Sequence, residues 1–220
     1  MKDKQGMNLV PALQESLIEP LEDTAVDIAE VFLDTVFEDG ILKDIPIIGT
    51  LAAFTKVGIS LRERNLAKNT YAFILGFRKR AISTERMNKY RERMKDPKAA
   101  EKELGYALTL LDRETQYQKA VFLGRAYRAF VDEAISWDKF VELSEVISRM
   151  FMIDFKHLLS VAKDTPLNFG IREDELYGMQ RLEGLGLISE IKPHVSGTTF
   201  VSDGRYKTTS LGRCLISLME

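Results

Sequence analysis

The sequence predicts a mainly α protein: an N-terminal helical bundle followed by a small winged-helix-like α+β module. Three observations predict it. Apolar residues recur at helical spacing over most of the first 165 residues. After Pro166 the texture shifts to short apolar runs divided by glycines. Ser202-Asp-Gly-Arg is then a turn signal, because Asp-Gly suits the positive φ angles of a tight hairpin. The bundle is expected over 1–132 and the module over 133–220.

Residues 8–19 place Leu9, Leu13, Leu17 and Ile18 on one helical face before Pro20 stops the run. Asp23 or Thr24 can cap a second helix carrying Val26, Ile28, Ala29, Phe32, Leu33 and Val36, with Gly40 as its C-cap. Pro46 suits the first turn of an apolar helix, 46–61, running on into Arg62-Glu-Arg64. Residues 65–80 carry Leu66, Tyr71, Phe73, Ile74, Leu75 and Phe77 at helical spacing. The polar stretch 84–95 reads as an exposed helix or an extended connection after Ser83. Asp96-Pro97 opens a helix through Leu104, Leu108 and Leu111. Helices are expected over 115–133, from Ser136 through Phe140, Leu143, Val146, Ile147 and Met150, and over 153–161. In the module, Glu173 to Leu185 reads as a short helix, and 188–191, 198–201 and 206–208 as strands. Thr209 or Ser210 caps a final helix from Leu211 to Leu218.

Charge is strongly segregated along the chain. Residues 1–44 hold three Lys/Arg against eleven Asp/Glu, a net of −8. Residues 62–102 hold thirteen against five, a net of +8. Pairing of these two blocks within the bundle is the simplest expectation. Between them lies the run 45–61, nearly apolar with Lys56 its one charge. A membrane span needs about 20 apolar residues, so this run is short for one. Its small residues would allow close helix approach in protein or in lipid. The membrane-contact candidates are Ile47, Ile48, Leu51 and Phe54 on the apolar run, with Arg62, Arg64, Arg78, Lys79 and Arg80 meeting anionic headgroups.

Nucleic acid is the other reading of the positive charge. In a DNA-binding winged helix the helix near 172–183 would enter the major groove. Here it offers Arg172 and Arg181 among several acids, and Lys192, Arg205 and Lys207 on the wing add little. That footprint points to a protein partner or self-association ahead of nucleic acid. Catalytic constellations are poor. His157 and His194 stand in no metal-ligand spacing, and there is no phosphate loop, nucleophile elbow or His-Glu-x-x-His. The chain reads as a non-enzyme with no catalytic residue, metal site or cofactor. The single cysteine, Cys214, fits a reducing compartment, and no secretory signal is visible. A cytoplasmic location is expected, with contact at the inner membrane conditional.

Several stretches resemble a family of uncharacterised bacterial proteins carried on mobile elements and prophages. They are Lys43-Asp-Ile-Pro-Ile-Ile-Gly-Thr with Gly58-Ile-Ser-Leu-Arg-Glu-Arg-Asn-Leu66, Leu110-Leu-Asp-Arg113 with Lys119-Ala and Gly124-Arg-Ala-Tyr-Arg-Ala-Phe130, and Ile135-Ser-Trp-Asp-Lys-Phe-Val-Glu-Leu-Ser144. Leu182-Glu-Gly-Leu-Gly-Leu-Ile188 with Tyr206-Lys-Thr-Thr-Ser-Leu-Gly212 is similar to the ending of the abortive-infection alpha family. The resemblance implies a bacterial phage-defence or abortive-infection role, with a conditional membrane-disturbing effector as one form of it. A winged-helix DNA-associated regulator and a protein-interaction adaptor are the alternatives.

Overall fold

The computed structural model describes residues 9–19, 45–53, 60–163, 173–191 and 206–219. The fold is mainly helical, with one small antiparallel sheet near the C-terminus. Two compact units divide the chain, Met1–Phe140 and Val141–Glu220. The expected helix over 24–39, the strand at 198–201 and the Asp203-Gly204 turn lie outside the described residues.

In the first unit, α1 (Leu9–Ile18) packs on α2 (Pro46–Ala53). Ser16 joins them: its buried hydroxyl accepts from the Ile47 N–H at 3.0 Å. That bond serves one of the orphan donors at the start of α2, where Pro46 has no N–H to satisfy. A serine on one helix thus caps the next. The run 46–61 does not form one helix continuing into Arg62-Glu-Arg64. Ser60 is extended (φ −66°, ψ 155°) and caps a separate helix, α3 (Leu61–Arg78). Its hydroxyl accepts from the Glu63 N–H while the Glu63 carboxylate accepts from the Ser60 N–H, a capping box.

The stretch after Ser83 is helical: α4 (Thr84–Arg93), in which Tyr90 is the buried residue. Asp96 and Pro97 open α5 (Pro97–Ala100), which passes through a π-helical segment, Glu101–Gly105, into α6 (Tyr106–Arg113). Asn65 and Asn69, one turn apart on α3, hold the end of α6. Asn69 Nδ2 donates to the Leu111 and Glu114 carbonyls at 2.9 and 2.7 Å, and Asn65 Nδ2 to Glu114 at 2.7 Å. These bonds satisfy orphan carbonyls of a helix that has no glycine cap.

The centre of this unit is the crossing of α3 with α7 (Tyr117–Val131). Two glycines make it. A Cβ on Gly76 would lie 2.1 Å from the Val121 carbonyl oxygen, and one on Gly124 would lie 2.1 Å from that of Phe73. Backbone therefore meets backbone across the interface. Around it Phe73, Phe77, Tyr90, Tyr127 and Phe140 are fully buried, with ring centroids 5.4–6.3 Å apart in tilted or edge arrangements. After α7, Glu133 takes φ 59°, a left-handed cap position where glycine is usual.

The unit boundary falls within α8 (Trp137–Arg149). The second unit continues with α9 (Met152–Ala162), α10 (Glu173–Gly184), β1 (Ile188–Glu190), β2 (Tyr206–Thr208) and α11 (Ser210–Met219). The strands pair antiparallel with Ile188 opposite Thr208. Gly186 at φ 71° ends α10: its N–H donates to the Glu183 carbonyl and the Leu187 N–H to that of Leu182, the paired bonds of a Schellman cap. Thr209 caps α11 as expected, its Oγ1 accepting from the Gly212 N–H at 3.0 Å.

Candidate functional site

The structure separates the membrane-contact candidates into two sets. Ile47, Ile48 and Leu51 are buried core residues of α2, and Phe54 lies outside the described residues. Their apolar surface is already spent against protein. Among the described residues no helix is long and apolar enough to cross a membrane.

Of the basic members, Arg62 and Arg78 are bonded within the protein. Arg62, exposed, forms a bidentate pair with Asp112, which raises the Arg62 pKa and lowers that of Asp112. Arg78 donates to the Ser16 carbonyl at 2.6 Å and to that of Glu19. A half-buried guanidinium thus closes the C-terminal end of α1, where exposed carbonyls carry partial negative charge. Burial pushes the Arg78 pKa down, and Glu19 opposes the shift. Lys79, Arg80 and Arg64 are exposed at their positions on and after α3. Burial, then the charges of Arg125 and Arg80, lowers the Lys79 pKa.

Of the acidic block 15–44 only Glu15 and Glu19 fall among the described residues, so the expected pairing with block 62–102 lies largely outside them. Arg62, Arg86, Lys89, Arg93 and Lys95 pair with Asp112, Glu133, Glu85, Glu103 and Glu92, while α1 offers backbone carbonyls. Helix α4 supplies two of these acids itself, Glu85 and Glu92.

Behind these pairs lies a buried polar chain. The Tyr90 and Tyr127 hydroxyls are 3.2 Å apart, and that of Tyr127 is 3.1 Å from Glu103 Oε2. Each hydroxyl has one proton, so Tyr90 donates to Tyr127 and Tyr127 to the carboxylate. Arg93 closes the chain, its Nε 3.0 Å from Glu103 Oε1, with its guanidinium over the Phe130 ring at 4.8 Å. The π-helical segment, one residue wider per turn than an α-helix, is what carries Glu103 in this position. Burial raises the Glu103 pKa, against the pull of Arg93 and Tyr127. Tyr90, Tyr127 and Glu103 are buried while Arg93 is about a third exposed, and with every member bonded to another the chain favours one packing arrangement.

The second unit presents a different surface. On α10, Leu176 and Tyr177 are 38% and 52% exposed, and at the start of α9 Phe151 and Ile153 are 60% and 47% exposed. Arg181 links the two helices. Its guanidinium lies 4.9 Å from the Phe151 ring and grips Asp154 with both oxygens, at 2.6 and 3.2 Å. Asp154 is fully buried and also accepts from the Phe151 N–H at 2.9 Å, which fixes the first turn of α9. The ion pair raises the Arg181 pKa. Tyr177 stands one helical turn before Arg181, so Phe151, Arg181 and Tyr177 follow one another on one face.

The nucleic-acid candidates fall in different places. Arg181 is committed to Asp154. Lys207 is exposed on β2, and Arg172, Lys192 and Arg205 lie outside the described residues. His157, of no assigned chemistry, packs against α10, where a Cβ on Gly178 would lie 2.2 Å from its Nδ1. Cys214 is half-buried. Among the described residues no group of three or more His, Cys, Asp or Glu could hold a metal ion. Sequence reasoning missed Phe151, Asp154, Leu176 and Tyr177. A Leu-Tyr pair beside acids on the helix was the available signal. Comparison with protein-family models, curated proteins and solved structures found no match.

Proposed function

We propose that this protein is a non-enzymatic interaction protein whose C-terminal unit, built on a winged-helix plan, docks a protein through the face of α10. The observation that carries the reading is the exposure of Phe151, Ile153, Leu176 and Tyr177 together with the engagement of Arg181 by Asp154. Exposed aromatic and aliphatic side chains of this kind mark protein contacts. A groove-reading helix would instead hold free cations for phosphate. The winged-helix plan is supported by the order helix, helix, helix, strand, strand, helix among the described residues of 137–219 and by the antiparallel pairing of β1 with β2. The setting, phage defence by abortive infection, comes from the resemblance of the sequence motifs.

Fluorescence anisotropy of the full chain with duplex DNA over a salt series tests the choice of partner. Docking to protein predicts no salt-dependent complex that responds to Lys207→Glu. Tight binding that weakens with salt and is lost in Lys207→Glu would overturn it in favour of a DNA-associated regulator. Phage plating on cells carrying the chain tests the setting. Protection that disappears with Leu176→Glu and Tyr177→Glu is the expected result.

A further inference from the structure

The first unit carries a groove that the α10 face does not involve. Residues of α1 form one wall, and the turn after α4 with α5 and the π-helical segment forms the other. Its volume is about 830 Å³ and it is open to solvent. The floor is apolar: Val10, Met94 and Ala100, each almost fully buried. Lys95, Lys98 and Lys102 line it as well, all exposed, against one carboxylate among the described residues, Glu101.

The spacing of these lysines has a physical meaning. Lys95 lies in the turn after α4, Lys98 on α5 and Lys102 in the π-helical segment, so three like charges line one wall of the groove. Lys95 is relieved by Glu92 at 2.5 Å, and Lys102 rests 5.4 Å from the Trp137 ring centre. Three ammonium groups still surround an apolar floor. An enclosed small molecule would need walls on most sides, because such sites bury most of the ligand. An open trough between two helical walls fits a third helix, apolar face down and polar face toward the cations. Charge complementarity sets the sign of that polar face.

We propose that this groove docks an acidic amphipathic helix of a partner protein, with Lys98 and Lys102 meeting its carboxylates over the floor of Val10, Met94 and Ala100. The site is separate from the α10 face, and its test does not depend on that reading.

The probe is a fluorescein-labelled synthetic helix with Leu and Phe on one face and Glu on the other, titrated against the full chain by anisotropy. Saturable binding is expected, weakened about tenfold or more by Lys98→Glu with Lys102→Glu and unchanged by Arg64→Glu on α3. All three residues are exposed, so circular dichroism should show the variants folded. No saturable binding overturns the proposal, as does equal affinity for a helix whose polar face is lysine. Binding to vesicles of anionic phospholipid that is lost in the lysine variants, without binding of the peptide, overturns it in favour of a membrane surface.

Discussion

Exchanging a helical glycine for alanine ordinarily stabilises a helix by about 1 kcal/mol, since alanine loses less backbone freedom on folding. For Gly124 in α7 the geometry reverses the sign. The new Cβ would lie 2.1 Å from the Phe73 carbonyl oxygen and 2.9 Å from the Phe77 nitrogen. Both are backbone atoms of α3, so no side chain can swing aside. The helices must separate by about 1 Å, and a gap of that size removes about a quarter to a half of each dispersion contact across the crossing. Overpacking of this kind costs about 1–3 kcal/mol, and rigid backbone neighbours place it at the upper end. Setting that against the propensity gain leaves a net loss of about 2 kcal/mol for Gly124→Ala. Gly184→Ala is the internal control, because a Cβ there meets nothing within 4 Å. It should gain up to about 1 kcal/mol. Urea midpoints at constant slope measure both. Gly76→Ala should resemble Gly124→Ala, and the double variant should lose less than the sum, since the first substitution already opens the crossing. A Gly124→Ala protein as stable as the parent would refute the backbone-on-backbone crossing.

Arg181→Ala should cost about 2 kcal/mol, below the range for a fully enclosed pair because Arg181 is itself a third exposed. Arg181→Lys should rescue only part of it, for lysine cannot make the two-pronged bond to Asp154; a loss within error of zero in denaturant titration would contradict this. Ser60→Ala should cost about 1 kcal/mol through the lost cap of α3, again read from the denaturant midpoint. Glu103 supplies a pH signature. Its pKa is raised in the folded state, so its contribution is fully present below the unfolded value, about 4.3, and is lost as pH rises through the folded value. The stability of the parent relative to Glu103→Gln should therefore grow as pH falls from neutrality toward about 4. A difference that is flat or shrinks on acidification would show that burial does not dominate at this carboxylate.

The helices were largely legible because their apolar residues recur at a period that survives in the fold. Asp96-Pro97 and Thr209 work as caps for the reasons their residue types foretold. The break at Ser60 was legible in principle, since Ser60 and Glu63 have the spacing of a capping box. Continuous apolar character through Leu61 hid it, yet Leu61 is 86% exposed. Burial, which sequence composition does not report, separates the two helices. Gly76 and Gly124 read as ordinary helix positions until the facing backbone is known. The Arg181–Asp154 pair joins residues on different helices, and no local pattern announces it. Arg181 consequently passed for a phosphate ligand when its charge is used inside the unit.

The docking face itself is tested most directly by placing a photo-crosslinking benzoyl-phenylalanine at position 177 of the full chain and irradiating phage-challenged cells. A discrete protein adduct is predicted at 177, absent when the same group stands at Arg64 and lost when Leu176→Glu is added. No adduct at 177, or the same adduct from both positions, would contradict docking through α10.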